Sequence, residues 1–123
     1  MNLVDSSGWL EYFSNSKNAD YFAPVIEDTN NLLVSTINIY EVFKKILKER
    51  DENSALKAVA LMYQGTVKDI DSTVSLLAAK LSFELKLPMA DSLILATARL
   101  YKATLWTQNS DFRNIEGVNY KSK

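Results

Sequence analysis

The sequence predicts an α/β fold of three layers, a central and mostly parallel sheet flanked by helices. Three observations lead there. Short apolar runs bounded by turn residues, at 2–5, 31–36 and 103–107, have the length and continuity of strands buried on both faces. Longer segments with apolar residues at helical spacing separate them. Strand and helix therefore alternate, which implies crossover connections and parallel pairing. The 123 residues, 47% of them hydrophobic, suffice for one core. No repeat, low-complexity tract or linker divides them, so a single domain over 1–123 is expected.

The elements follow in order. "NLVD" (2–5), bounded by "SSG", reads as the first strand, with Ser6 or Ser7 placed to cap a helix through "GWLEYF". "ADYFAPVIED" (19–28) reads as a second helix, its course through Pro24 left open. "NLLVST" (31–36) is a second buried strand. In "INIYEVFKKILKE" (37–49), Ile39, Tyr40, Phe43, Ile46 and Leu47 recur at helical spacing. Ala55, Ala58, Val59 and Met62 do the same in "ENSALKAVALMYQ" (52–64). "TVKDID" (66–71) reads as a short strand ending at the cap signal "DST", and "TVSLLAAKLSFELK" (73–86) as a strong helix. In "LPMADSLILATARL" (87–100), the helix after Pro88 is apolar along one side. Asp91 falls on that side with Ile94, Leu95 and Ala98, away from Ser92 and Arg99. "ATLWT" (103–107) and a weaker "VNYKS" (118–122) complete the strands.

Composition narrows the chemistry. The chain has neither cysteine nor histidine, which excludes disulfides, thiol nucleophiles, Ser-His-Asp catalysis and most zinc sites. Acid–base or metal chemistry must rest on carboxylates, with hydroxyls, amides and lysines in support. A net charge of −1 predicts no strong overall attraction to nucleic acid. No apolar run approaches the roughly 20 residues of a membrane span. The start has no basic region leading into an apolar one, so a cytoplasmic protein without membrane contact is expected.

In open parallel sheets, ligands sit beyond the carboxyl ends of the strands. Asp5 ends the first strand and Asp111 follows "ATLWT", so both belong at that edge. Glu41, about a turn and a half into the helix after the second strand, reaches the same edge. Asp91 follows no strand, and periodicity alone does not place it. Each has an ordinary alternative: a cap or turn for Asp5 and Asp111, a pairing with Lys45 for Glu41, a favourable helix dipole for Asp91. Clustered, four carboxylates would be unfavourable through desolvation and repulsion unless a hard divalent cation offset both.

Three stretches decide between these readings. "MNLVDSSGWLEYF", "VSTINIYEVFKK" and "LKLPMADSLILATARLYKATLWTQNSDFRNIEGV" together resemble the PIN-domain family, and within it the VapC-type toxins. The last is the specific one, joining P-x-A-D-x-x-I-x-A to T-x-N-x-D-F-x-x-I across a short strand. The resemblance implies a PIN-like fold over essentially the whole chain and a metal-dependent endoribonuclease. Asp5, Glu41, Asp91 and Asp111 match the family's acidic, metal-binding catalytic positions. Ser6 and Thr107 match supporting hydroxyl positions. Asn109 stands where many relatives carry an aspartate, and as a neutral ligand it would weaken a second metal site.

The implied cofactor is Mg²⁺, with Mn²⁺ as a substitute, held by oxygen ligands and activating a water for attack on an RNA phosphodiester. The implied partners are RNA, a small cognate antitoxin directing a basic side chain towards the acidic pocket, and a second copy in a homodimer. Trp9, Tyr12, Phe13, Tyr40 and Phe43 are candidates for an antitoxin groove, or for core. Lys44, Lys45, Lys48 and Arg50 on one helix, and Arg99 and Lys102 on another, are candidate RNA phosphate contacts or ordinary solvated faces. Two other functions compete: a PIN-like binding module that has lost catalysis, marked by Asn109, and a receiver-type phosphoacceptor domain. The latter needs an acidic pair where Asp5 stands alone, and a lysine that is missing between Thr104 and Asp111.

Overall fold

The computed structural model covers residues 1–123. Its elements are β1 (Asn2–Val4), α1 (Ser6–Phe13), α2 (Ala19–Glu27), β2 (Leu32–Ser35), α3 (Thr36–Glu49), α4 (Glu52–Met62), β3 (Thr66–Lys68), α5 (Ser72–Leu85), α6 (Met89–Leu100), β4 (Thr104–Thr107) and β5 (Val118–Tyr120). Short 3-10 turns occupy Thr29–Asn31 and Ser110–Phe112. The five strands form one sheet in the order β3-β2-β1-β4-β5, with every neighbouring pair parallel. This is the predicted three-layer sandwich.

The layers follow from the alternation of side chains along each strand. Leu3, Leu33 and Leu105 lie side by side in register and face α5 and α6, where Val74, Ala78, Ile94 and Leu95, with Phe112 from the turn after β4, complete one core. Val4, Leu32 and Val34 point the other way, into a second core with Trp9, Phe22, Val42 and Met62 from α1 to α4. Every residue of β2 is buried, as a strand covered on both faces requires. Asp51 and Asp71 cap α4 and α5 by accepting from the Ser54 and Val74 N–H groups at 2.7 and 2.9 Å. Pro24 lies inside α2 on its exposed side, and the helix continues past it to bury Val25 and Ile26.

Gly8 sets how closely α1 approaches the sheet. A Cβ there would lie 2.6 Å from Val4 Cγ1 and 2.8 Å from the Phe22 ring, inside van der Waals contact. Gly8→Ala is therefore expected to destabilise by about 1–3 kcal/mol, although alanine is the better helix former. Urea denaturation checks this, and a midpoint equal to wild type would contradict it.

Three local expectations are corrected. Neither Ser6 nor Ser7 caps α1: Asp5 holds the N-cap position without a side-chain cap bond, and both serine hydroxyls turn elsewhere. In α3 the buried line is Asn38, Val42 and Ile46, whereas Tyr40 and Leu47 are exposed. Ser92 in α6 is buried with Ile94 to Ala98, because that helix is covered on most sides.

Candidate active site

The carboxyl edge of the sheet gathers the four predicted acids. Asp5 leaves β1, with its backbone N–H bonded to Trp106 O of β4 at 2.8 Å. Glu41 comes from the second turn of α3 and is joined to the start of α1 through Ser6. Asp91 stands in the first turn of α6, and the Asn109 amide just beyond β4 lies 3.4 Å from each of its oxygens. That contact places Asp91 at the edge where periodicity could not. Asp111 sits in the 3-10 turn at the exposed rim.

Hydroxyl groups hold the two deeper carboxylates by one oxygen each. Asp5 Oδ2 accepts from Ser7 Oγ at 2.6 Å and from Thr107 Oγ1 at 2.9 Å, and the Ser6 and Ser7 backbone N–H groups also favour its charged form. Glu41 Oε1 accepts from Ser6 Oγ at 2.8 Å, leaving Oε2 without a hydrogen-bonded partner. Thr107 Oγ1 also accepts the Asn109 N–H at 2.9 Å, which ties the loop after β4 to Asp5. Glu41 is not the partner of Lys45, which instead pairs with Glu49 at 3.0 Å.

Asn109 has a different part from the one its sequence position suggests. Its Oδ1 accepts the Asp111 N–H at 3.0 Å and caps the 3-10 turn, so its amide NH₂ is the end that faces Asp91. A neutral donor stands there instead of a weak oxygen ligand.

Crowding leaves these acids under electrostatic load. Burial pushes the Asp5 carboxyl above its ordinary range, and the Ser7 and Thr107 hydroxyls draw it partly back. Burial also raises Glu41, opposed by the Ser6 hydroxyl and reinforced by the Asp5 charge. Asp91 is pushed up to about 7, first by burial, then by the Asp5 charge and by its neighbour Asp111. No lysine or arginine answers them, since Lys45–Glu49 is the one ion pair of the chain. The donors are all hard oxygens, Glu41 retains an unbonded oxygen, and no protein cation compensates the carboxylates; that chemistry fits a hard divalent ion. The four are not drawn together tightly: no three of them stand close enough to form a metal-holding group.

Residues that the sequence reading passed over complete the site. Asn38 is fully buried, and its Nδ2 donates to Ser6 Oγ at 2.9 Å. Asn18, also buried, donates to Gln108 Oε1 and to Ser122 O, both at 3.0 Å, and Gln108 Nε2 donates to Glu11 at 3.1 Å. This network fixes the exit of β4 against α1. The available signal was helical spacing, Asn38 standing three residues before Glu41 on α3.

The basic residues divide. Lys44 is exposed and stacks over Tyr40 at 5.6 Å, and Lys48 is exposed. Arg99 lies two turns along α6 from Asp91, roughly 12 Å away along the axis, and donates to Glu116 O. Lys45 and Arg50 line a groove of about 650 Å³ between α1, α3 and α4, floored by Leu10, Phe13 and Ile46, which reaches Ser7 and Gln108 at the acidic edge. Of the five aromatic groove candidates only Phe13 lines it. Trp9 is wholly buried core, Phe43 packs against that core, Tyr12 bonds Glu27, and Tyr40 is exposed on α3.

Comparison with known proteins agrees with this architecture. The family model of the PIN domain matches residues 3–118. A toxin–antitoxin complex from Klebsiella pneumoniae contains a chain 27% identical, with all of both chains covered and a TM-score of 0.83. VapBC2 from Rickettsia felis, bound to a promoter DNA fragment, aligns with a TM-score of 0.75 at 16% identity over 98% of this chain and 97% of that one. Mycobacterium tuberculosis VapC20, a sarcin-ricin loop cleaving toxin, aligns at 0.76 with 13% identity over 91% and 92%. No curated protein matches the chain. With its whole fold and nearly its whole length accounted for, the chain belongs to the PIN-domain family.

Proposed function

We propose that this protein is the toxin of a toxin–antitoxin pair and an endoribonuclease dependent on Mg²⁺ or Mn²⁺. One observation carries the reading: at the sheet's carboxyl edge Asp91 lies within reach of the charges of Asp5, Asp111 and Glu41, and none of the four forms an ion pair with a cation of the protein. Asp5, Glu41 and Asp91 would hold the ion, with Asp111 at the rim. When bound, the ion supplies an activated water and offsets charge developing on the phosphate. The chain's own work is positional. Ser7 and Thr107 hold Asp5 Oδ2, Ser6 holds Glu41 Oε1 and leaves Oε2 for the ion, and Asn109 steadies Asp91. RNA as substrate rests on family membership, and Lys44 and Lys48 are the free cations of α3 available to its backbone.

The groove beside α1 supports an antitoxin as partner. It has an apolar floor, a mixed rim of Lys45, Arg50 and Lys57 with Glu11 and Glu49, and an end at the acidic edge, which suits an amphipathic segment whose terminal basic group enters the site. A homodimer is supported by the outer face of α5 and α6, where Leu76, Phe83 and Met89 are 74%, 86% and 75% exposed. Sedimentation at micromolar concentration reads this directly, and a monomer would remove it.

Mapping RNA ends after incubation with purified protein tests the activity. Cleavage in Mn²⁺ is expected to disappear with EDTA and to fall at least about 100-fold in Asp5→Asn, since even outer-shell partners of a metal site account for 10–100-fold. Full activity in that variant would sink the assignment. The binding-module reading predicts intact RNA and no Mn²⁺ uptake.

A further inference from the structure

We infer that Asn38 is a positioning residue whose amide fixes the Ser6 hydroxyl proton on Glu41 Oε1, leaving Glu41 Oε2 free for a divalent cation. This rests on the metal-dependent reading above. Ser6 Oγ has two side-chain partners, Asn38 Nδ2 at 2.9 Å and Glu41 Oε1 at 2.8 Å. A hydroxyl carries one proton. Because the Asn38 NH₂ donates to it, that proton is left for Glu41.

The direction of the chain depends on which way the Asn38 amide points, and the backbone settles that. Asn38 Oδ1 accepts the Ser35 N–H at 3.3 Å, closing the capping box of α3. A reversed amide would set NH₂ against N–H, and its oxygen would then draw the Ser6 proton away from Glu41. Water does not relax the arrangement, since Ser35 and Asn38 are fully buried and Ser6 is 6% exposed.

The choice of asparagine is informative. A capping box needs only an acceptor at this position, and glutamate or glutamine is the usual occupant. The donor end of the amide is surplus to the cap, and it is the end that reaches the site. A carboxylate here would close the cap equally well but would take the Ser6 proton for itself. Asn38 thus joins the start of α3 to the ligand one turn further along the same helix.

Mn²⁺ titration of the full-length protein by electron paramagnetic resonance, without RNA, tests this. Asn38→Ala and Ser6→Ala are each expected to weaken binding about tenfold. The double variant should be no weaker than the poorer single one, because both break one chain. Ser35→Ala, which loosens the same helix cap without touching Ser6, should lower the melting temperature and leave Mn²⁺ affinity unchanged. Unchanged affinity in folded Asn38→Ala, or losses that multiply in the double variant, would overturn the inference. If Asn38→Ala does not fold, Asn38→Ser keeps a hydroxyl near the Ser35 N–H while falling short of Ser6, and the same outcomes apply. Absence of Mn²⁺ binding in wild type would instead defeat the metal-dependent reading as a whole.

Discussion

Asp91→Asn is expected to abolish RNA cleavage and, in the same protein, to raise the melting temperature in EDTA at pH 8. Both effects have one origin. Asp91 is half-buried beside Asp5 and Asp111, and its carboxyl is pushed up to about 7 from 3.8. Its folded value lies above its unfolded one, so the native state holds the proton more tightly. The stabilising contribution is complete below about pH 4 and is lost as pH rises through 7. Burial displaces Asp5 and Glu41 in the same direction, which steepens the loss. Asparagine removes the charge while keeping shape and hydrogen bonding. At pH 8 the gain is about 1–2 kcal/mol once solvent screening of a half-exposed group is allowed for, a few degrees in melting temperature. At pH 5 Asp91 is protonated in the folded state but already ionised in the unfolded one, so the difference should be smaller than at pH 8, and it should vanish only below about pH 4. Melting curves of both proteins across pH 5–8 decide it; a variant that melts lower than wild type at pH 8 would show that Asp91 is not under repulsion. Such a trade of stability for activity is what a charge cluster built for a ligand predicts.

Much of this geometry was legible in the sequence, and the exceptions have physical causes. Asp5 and Asp111 follow strands, so the parallel-sheet rule alone puts them at the carboxyl edge. Asp91 needed the family motif, because nothing in a 3.6-residue period says which end of α6 meets the end of β4. Ser92 was misplaced because polarity was read as exposure. Its hydroxyl satisfies itself on Met89 O at 2.7 Å, as Thr97 does on Leu93 O at 2.8 Å, so a buried helix face tolerates both. Asn38 went unseen for a related reason: a buried asparagine is acceptable only with partners, and those partners, Ser6 and Ser35, come from different strand ends. Tyr40 and Leu47 recur at helical spacing with Ile46, yet the buried line of α3 is Asn38, Val42 and Ile46, and the other two stand in solvent. Local pattern specifies elements and faces; it does not specify which polar side chains will meet across the sheet.

The second large effect is linkage between metal and stability. Mg²⁺ or Mn²⁺ added to chelator-treated wild type should raise the melting temperature, because an ion bound only by the folded state stabilises it by about 2.7 kcal/mol at a hundredfold excess over its dissociation constant. For a domain of this size that is on the order of 10 °C. Protons compete for the same oxygens, so the increment should be large at pH 8, where Asp91 is charged, and small at pH 5, where it is protonated. In Asp91→Asn the increment should shrink at pH 8 while the metal-free melting temperature stays above wild type. The two curves would then cross as ion is added, the variant more stable without it and the wild type more stable with it. Scanning calorimetry at fixed pH with graded Mn²⁺ measures the crossing directly. Parallel curves, with wild type and variant gaining equally, would place the ion outside the acidic cluster and leave the repulsion among Asp5, Glu41 and Asp91 without a ligand to offset it.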